Sequence, residues 1–294
     1  MNFSWIKSCA VLLVAGSALA ADGPVKIKLG TLAPKDSSPH QSLKVMGEKW
    51  RQAPGGGAQL IMFTDGTQGS EEDMVRRMRI NQLQAAMLSA SGLAHMDDSV
   101  ACLQMMPMMF RSLDELDYVG EKMRPLLEKR LALKGFVVLF WTDTGWVKFF
   151  SRKPALFPDE LKQQKLFALA GDNKAVNIMR AAGYQPIPLE TTDIVPGLKT
   201  GLIDAIPVPP FFALAGQIYE SAPHLLDMAW VPLVGAAVVN KKTWDSLPAE
   251  SQAAMRAAAA KAGQEISAQA RKEMDESVAA MKKRGLQVHT LTPA

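Results

Sequence analysis

The chain has 294 residues, 48% of them hydrophobic and 21% charged, with a formal net charge of +4. That length accommodates two lobes with substantial cores, at about 100–200 residues per domain. Basic and acidic residues are dispersed among one another, and no basic stripe is interleaved with aromatic residues, which excludes a nucleic-acid-binding surface.

At the N-terminus Lys7 precedes an apolar stretch, Cys9–Ala15, and then Ala18-Leu19-Ala20, the A-x-A form read by signal peptidase. Residues 1–20 therefore read as a signal peptide, and its removal takes Lys7 and lowers the charge from +4 to +3. No later stretch supplies the roughly 20 unbroken apolar residues of a membrane span, so the mature chain is expected to be soluble outside the inner membrane. Cys9 leaves with the leader. Cys102, in the apolar run CLQMMPMMF, has no intramolecular partner and reads as a small buried side chain.

Val25–Leu32 alternates as a first strand, and the loop carrying Ser37, Ser38 and His40 follows it. Gln41–Arg51 is a helix with Leu43, Met46, Gly47 and Trp50 on one face, and Gln59–Phe63 is the next strand. Ser70 caps a helix with Glu71, Glu72 and Asp73 in its first turn and Arg76, Arg77 and Arg79 later, as the macrodipole favours. Ala85–Ser89 is a strand ending in the small residues Ser89-Ala90-Ser91-Gly92. Met105, Met106, Met108 and Met109 around Pro107 are too dense to read as surface and suit an irregular core, or else the lining of an irregular ligand pocket. Leu113–Leu133 is helical, Phe136–Trp141 is a fully apolar strand, and Thr142–Gly145 crosses to a second lobe that opens with strand Trp146–Ser151.

From Lys165 to Phe212 strand and helix signals alternate at short spacing. Leu166–Leu169 is extended, Asp172 caps a helix stopped by Gly183, Pro186–Leu189 is extended, Asp193–Lys199 is helical and Leu202–Ile206 is a strand. Such alternation implies an α/β fold whose parallel strands end at one crevice, at Phe167–Gly171 and Ala205–Phe212. Trp230–Asn240 returns as a strand. Beyond Pro248 an alanine-rich helix runs to about Arg284, with Met255, Ala259, Ile266, Met274 and Met281 on its apolar face, and Gln287–Leu291 closes as a strand.

The order KIKLGTLAPKDSSPHQSLKVMGEKW, FTDGTQGSEEDMVRRMR, MMPMMFRSLDELD, FPDELKQQKLFAL and RAAGYQPIPLETTDIVPGLKTGLIDAI resembles the substrate-binding proteins of TRAP (tripartite ATP-independent periplasmic) transporters, the family of dicarboxylate and sialic acid receptors. The resemblance implies a two-lobed periplasmic-binding-protein fold with a hinge and a long C-terminal helix bracing both lobes. Residues 25–144 with 233–260 form lobe I, and 145–232 with 261–294 form lobe II. It also implies membrane permease subunits as partners and a small-molecule ligand held between the lobes, with polar contacts from Ser38, His40 and Gln68; the small residues closing Ala85–Ser89 either leave room for the ligand at Ser89 and Ser91 or form a tight turn.

Most receptors that this chain resembles hold an acid with an arginine on the strand that here reads Lys165-Leu166-Phe167-Ala168, because a guanidinium forks onto a carboxylate. Phe167 stands at that position. Val147 and Val208 stand where the family has a second arginine and an asparagine. Three polar-to-apolar differences predict an apolar wall built from Trp146, Val147, Phe167, Val208, Phe211 and Phe212, with Trp230 a weaker candidate. Losing a charge-assisted pair forfeits about 1.5–3 kcal/mol, whereas burying about 200 Å² of apolar ligand contributes about 5 kcal/mol before ordering costs. The expected ligand is largely apolar, aromatic or lipid-like. The alternative is an organic-acid receptor with displaced charged contacts from Lys148 or Lys165; a sensor or lipid carrier of the same fold is a further alternative. No catalytic or metal-ligating motif is present: the four histidines lack H-x-x-H spacing and no G-x-S-x-G or phosphate-binding glycine loop occurs. The sequence therefore predicts no cofactor, no metal and no enzymatic activity.

Overall fold

The computed structural model describes residues 24–291; the signal peptide read at residues 1–20 lies outside them. In chain order the elements are β1 (Val25–Thr31), α1 (Ser38–Arg51), β2 (Ala58–Phe63), α2 (Glu71–Arg79), β3 (Ala85–Ser89), α3 (Ala90–Ala94), α4 (Leu113–Leu133), β4 (Phe136–Trp146), β5 (Lys148–Ser151), α5 (Pro158–Lys162) and β6 (Lys165–Leu169). There follow α6 (Asn173–Ala181), β7 (Gln185–Leu189), α7 (Ile194–Thr200), β8 (Ala205–Val208), α8 (Pro210–Ala215), α9 (Ile218–Ser221), β9 (His224–Asp227), β10 (Pro232–Asn240), α10 (Lys241–Asp245), α11 (Ala249–Lys282) and β11 (Gln287–Thr290).

Two sheets define two lobes. One has the order β2-β1-β3-β10-β4 and the other β11-β9-β5-β8-β6-β7. In lobe I, β1 runs parallel to β2 and β3, and β10 is antiparallel to β3 and β4. In lobe II, β6 is parallel to β7 and β8, while β5 runs against β8 and β9. The carboxyl ends of β1, β2 and β3 and those of β6, β7, β8 and β9 therefore meet at one gap, where ligands bind in open α/β sheets.

The connection between lobes is a pair of antiparallel strands instead of a loop. β4 continues through the expected Thr142–Gly145 crossing to Trp146, which pairs with Pro232. The pairing extends beyond both strands, since Val147 N–H donates to the Val231 carbonyl at 2.8 Å. Gly145, at φ +74, turns the strand there. Asp143 stiffens the turn by accepting from Gly145 N–H at 3.1 Å and from the fork of Arg271 on α11.

The 34 residues of α11 span about 51 Å. Met255, Ala259, Ala262 and Ile266 pack into the lobe I core and Met281 into that of lobe II, so the helix braces both. At Gly263 it lies so close to β4 that a Cβ would stand 2.7 Å from the Phe140 ring.

Three expectations change. The helix read from Gln41 begins at Ser38, because Pro39 suits a first turn, so Ser38 and His40 are helical. The strand expected at Leu202–Ile206 pairs instead over Ala205–Val208, carrying Val208 to the gap end of the sheet. The methionine run is not core: Met106, Met108 and Met109 are 41%, 63% and 54% exposed. Pro107, and Met108 at φ +58, prevent a regular element there, and only Phe110 returns to the interior.

Candidate ligand cleft

On the lobe I side the gap is bordered by the loop from Thr64 to Ser70 and by the Ser89–Gly92 corner. Ser70 caps α2 by accepting from Asp73 N–H, and Asp73 answers on the Ser70 backbone. The next residue, Glu71, turns inward and is buried. Its Oε1 accepts from Ser89 N–H at 2.6 Å and its Oε2 from the Ser89 hydroxyl. A Cβ at Gly92 would lie 2.7 Å from the Glu71 carboxyl, so only glycine leaves room for it.

The lobe II side is formed by Ala170–Asp172, Glu190–Thr191 and the end of β8 with the start of α8. The lobes touch. A Cβ at Gly171 would lie 3.1 Å from Oε2 of Glu72, and one at Gly66 would lie 3.2 Å from the Thr191 hydroxyl. Met108 N–H donates to the Trp230 carbonyl at 2.8 Å. Carboxyl groups of the two lobes face one another across the gap. Burial pushes the Glu71 carboxyl above its usual range and Asp172 across the gap adds to that, while the Ser89 bonds oppose it. Glu190 is raised by burial first, then by Asp73 across the gap and Asp193 beside it.

The predicted contacts fall into two groups. Gln68 and Ser91 are half-buried on the lobe I border, and Val208, Phe211 and Phe212 are half-buried on the lobe II border. Phe211 and Phe212 stack edge to face at 5.0 Å. Trp146 is buried in the cluster that also takes in Leu32 and Phe63 at the gap ends of β1 and β2. The others are engaged elsewhere. The Ser38 hydroxyl donates to Glu273 of α11 at 2.9 Å, His40 Nδ1 accepts from Asp36 N–H at 2.9 Å, and Ser89 serves Glu71. Val147 is buried in the hinge pairing. Phe167 is 8% exposed and belongs to the lobe II core with Phe150 and Ile206, deeper in the sheet than Val208. Trp230 packs edge-on against Phe149 at 5.3 Å.

The two lysines diverge. Lys165 opens β6 at the end remote from the gap, and its ammonium donates to the Gly201 carbonyl, so it cannot stand in for a cleft arginine. Lys148 opens β5 at the gap end, in register with Val208 on one side, and binds the Asp227 carboxylate at the end of β9 on the other. Its side chain is only 10% exposed. A lysine enclosed by the apolar residues of WVKFF is the signal that marks it, since lysine is almost never buried unpaired.

The profile of the bacterial extracellular solute-binding proteins, family 7, matches residues 29–294. The chain belongs to this family. Among curated relatives, the 2,3-diketo-L-gulonate-binding periplasmic protein YiaO of Escherichia coli is 27% identical, over 93% of this chain and 83% of its own. The C4-dicarboxylate-binding periplasmic protein DctP of Rhodobacter capsulatus is also 27% identical, over 64% of this chain and 56% of its own. A TRAP periplasmic solute-binding protein of Pseudomonas putida, solved with bound D-glucuronate, superposes with a TM-score of 0.83 at 25% identity, covering 91% of this chain and 88% of that one. The chain is thus a TRAP periplasmic solute-binding protein, and family 7 consists of receptors, not enzymes. Among the described residues no helix is long and apolar enough to cross a membrane.

Proposed function

We propose that this receptor closes on a small carboxylate-bearing solute of the sugar-acid kind, with Lys148 as the displaced cationic contact. The observation that carries the reading is the position of Lys148, one residue from the family's arginine site at Val147, at the gap end of the sheet and already holding a carboxylate, that of Asp227. The names of the relatives support it, because the diketogulonate-binding, dicarboxylate-binding and glucuronate-bound proteins all take acids. Gln68, Ser91, Val208, Phe211 and Phe212 line the rest of the cleft, with Trp146 beneath. Residues 25–144 with 233–260 and residues 145–232 with 261–294 move as the two lobes, and the closed form is what TRAP membrane subunits recognise.

The test is a thermal-shift and calorimetric panel of D-glucuronate, 2,3-diketo-L-gulonate and short dicarboxylates against the wild type and Lys148→Met. At least one acid is expected to bind, and the substitution is expected to weaken it roughly 10- to 150-fold, the worth of a charged hydrogen bond. Acids that never bind, or that bind Lys148→Met equally well, would reject the reading.

A second reading, a largely apolar or neutral ligand, is favoured by one observation. Asp73 of lobe I and Asp172 and Glu190 of lobe II bring acidic side chains to the closing faces. Stabilisation by neutral aromatic compounds and by none of the acids would establish it in place of the first.

A further inference from the structure

At the edge of lobe II remote from the gap, two histidines meet. His224 is the first residue of β9 and His289 the third of β11, the parallel pair that ends the sheet. Register pairs His224 with Gln287, two residues before His289, so both imidazoles stand on one face. Nδ1 of His224 and Nε2 of His289 are 3.1 Å apart, with ring centroids 5.3 Å apart and planes inclined by 31°. The two nitrogens therefore lie nearly on the line between the rings, head to head, and one must carry the proton that the other accepts. Both side chains are half-buried and reachable from solvent.

From this geometry we infer that His224 and His289 form a bidentate site for a divalent transition-metal ion, clipping β11 to β9. Two bonds of 2.0–2.1 Å to nitrogens 3.1 Å apart subtend about 98° at the metal, between the octahedral and tetrahedral values. Each lone pair must swing by about 40° from the other nitrogen toward the shared point, a ring reorientation within the breadth of the imidazole torsion. The proton between the rings passes to the outer nitrogen of the ring that carried it, leaving both rings neutral and both inner lone pairs free. Among the described residues no cluster of three or more His, Cys, Asp or Glu could hold a metal, so water completes the coordination shell. Imidazole donors select copper, nickel and zinc over magnesium and calcium, with Cu(II) tightest. His224 begins β9 whereas the acid-binding Lys148 faces Asp227 at its other end, so the site operates independently of the cleft.

Untagged protein titrated with Zn(II) and Ni(II) in a calorimeter is expected to bind one equivalent and to melt at a higher temperature in its presence. His224→Asn and His289→Asn should each weaken binding by no less than the roughly 10–100-fold that loss of an outer-shell partner costs, while His95→Asn leaves it unchanged. Cu(II) on the wild type should show two imidazole nitrogens in its electron paramagnetic resonance spectrum, a readout that needs no variant to fold. No saturable binding, binding that survives both substitutions, or a spectrum with a single imidazole would overturn the inference.

Discussion

Glu71 shows how one side chain shapes the cleft. A carboxylate next to a helix N-cap reads as a surface charge favouring the macrodipole, yet the fold turns it inward to the Ser89–Gly92 corner. There it occupies donors that a ligand could otherwise have used. Its folded carboxyl lies above the ordinary value of 4.5, chiefly through burial. Between the unfolded and folded values the native state therefore holds a proton that the unfolded chain releases. The resulting stability is fully present below pH 4.5 and is lost as pH rises through the folded value. Relative to Glu71→Gln, the wild type should thus lose stability as pH is raised from about 4.5, measured by urea denaturation at several pH values. A difference that is flat, or that grows in favour of the wild type, would contradict this account.

Among the elements, the hinge strands and α11 are joined by charge as well as by packing. Arg271 forks onto Asp117 of α4 at 2.7 and 2.8 Å and onto Asp143 of β4 at 2.8 and 3.1 Å, which raises the guanidinium's pKa further, Asp117 being the larger cause. Asp143 is 7% exposed at its side chain and Arg271 25%, so truncating the arginine strands a nearly buried carboxylate. Arg271→Ala is expected to cost about 2–4 kcal/mol, slightly less than breaking a fully buried pair, and Arg271→Lys should recover only part because ammonium lacks the fork. Chemical denaturation of the two variants checks the order; equal losses would mean that the retained charge contributes nothing, and full recovery by lysine that the fork contributes nothing.

For the molecule as a whole, what matters is how the lobes meet. Contacts at Gly171, Gly66 and Trp230 join them, and the methionine loop reaches from lobe I to the Trp230 carbonyl. An opening motion that breaks this bond changes the surroundings of Trp230, whose ring packs on Phe149 of lobe II. Ligand binding is therefore expected to change the tryptophan emission of the wild type, and Trp230→Phe should remove most of the change while leaving binding by calorimetry intact. An unaltered response in that variant would mean that Trp230 does not report closure.

Periodicity and turn residues in the sequence determined the local elements. The alternation of VKIKLGT, the Ser70 and Asp172 caps, the span Leu113–Leu133 and the long helix after Pro248 all follow from interactions within a few residues. The order of those elements was enough to identify two lobes and the family, because it is set by the chain alone. Only the tertiary structure decided which residues reach the gap. Sheet register sank Phe167 into the core and raised Val208 to the gap edge. It also sent Lys165 to the far end of lobe II and brought Lys148 to Asp227. A shift of one residue reverses the face of every side chain in a strand, and that register is fixed by partners distant in sequence, which local pattern does not encode.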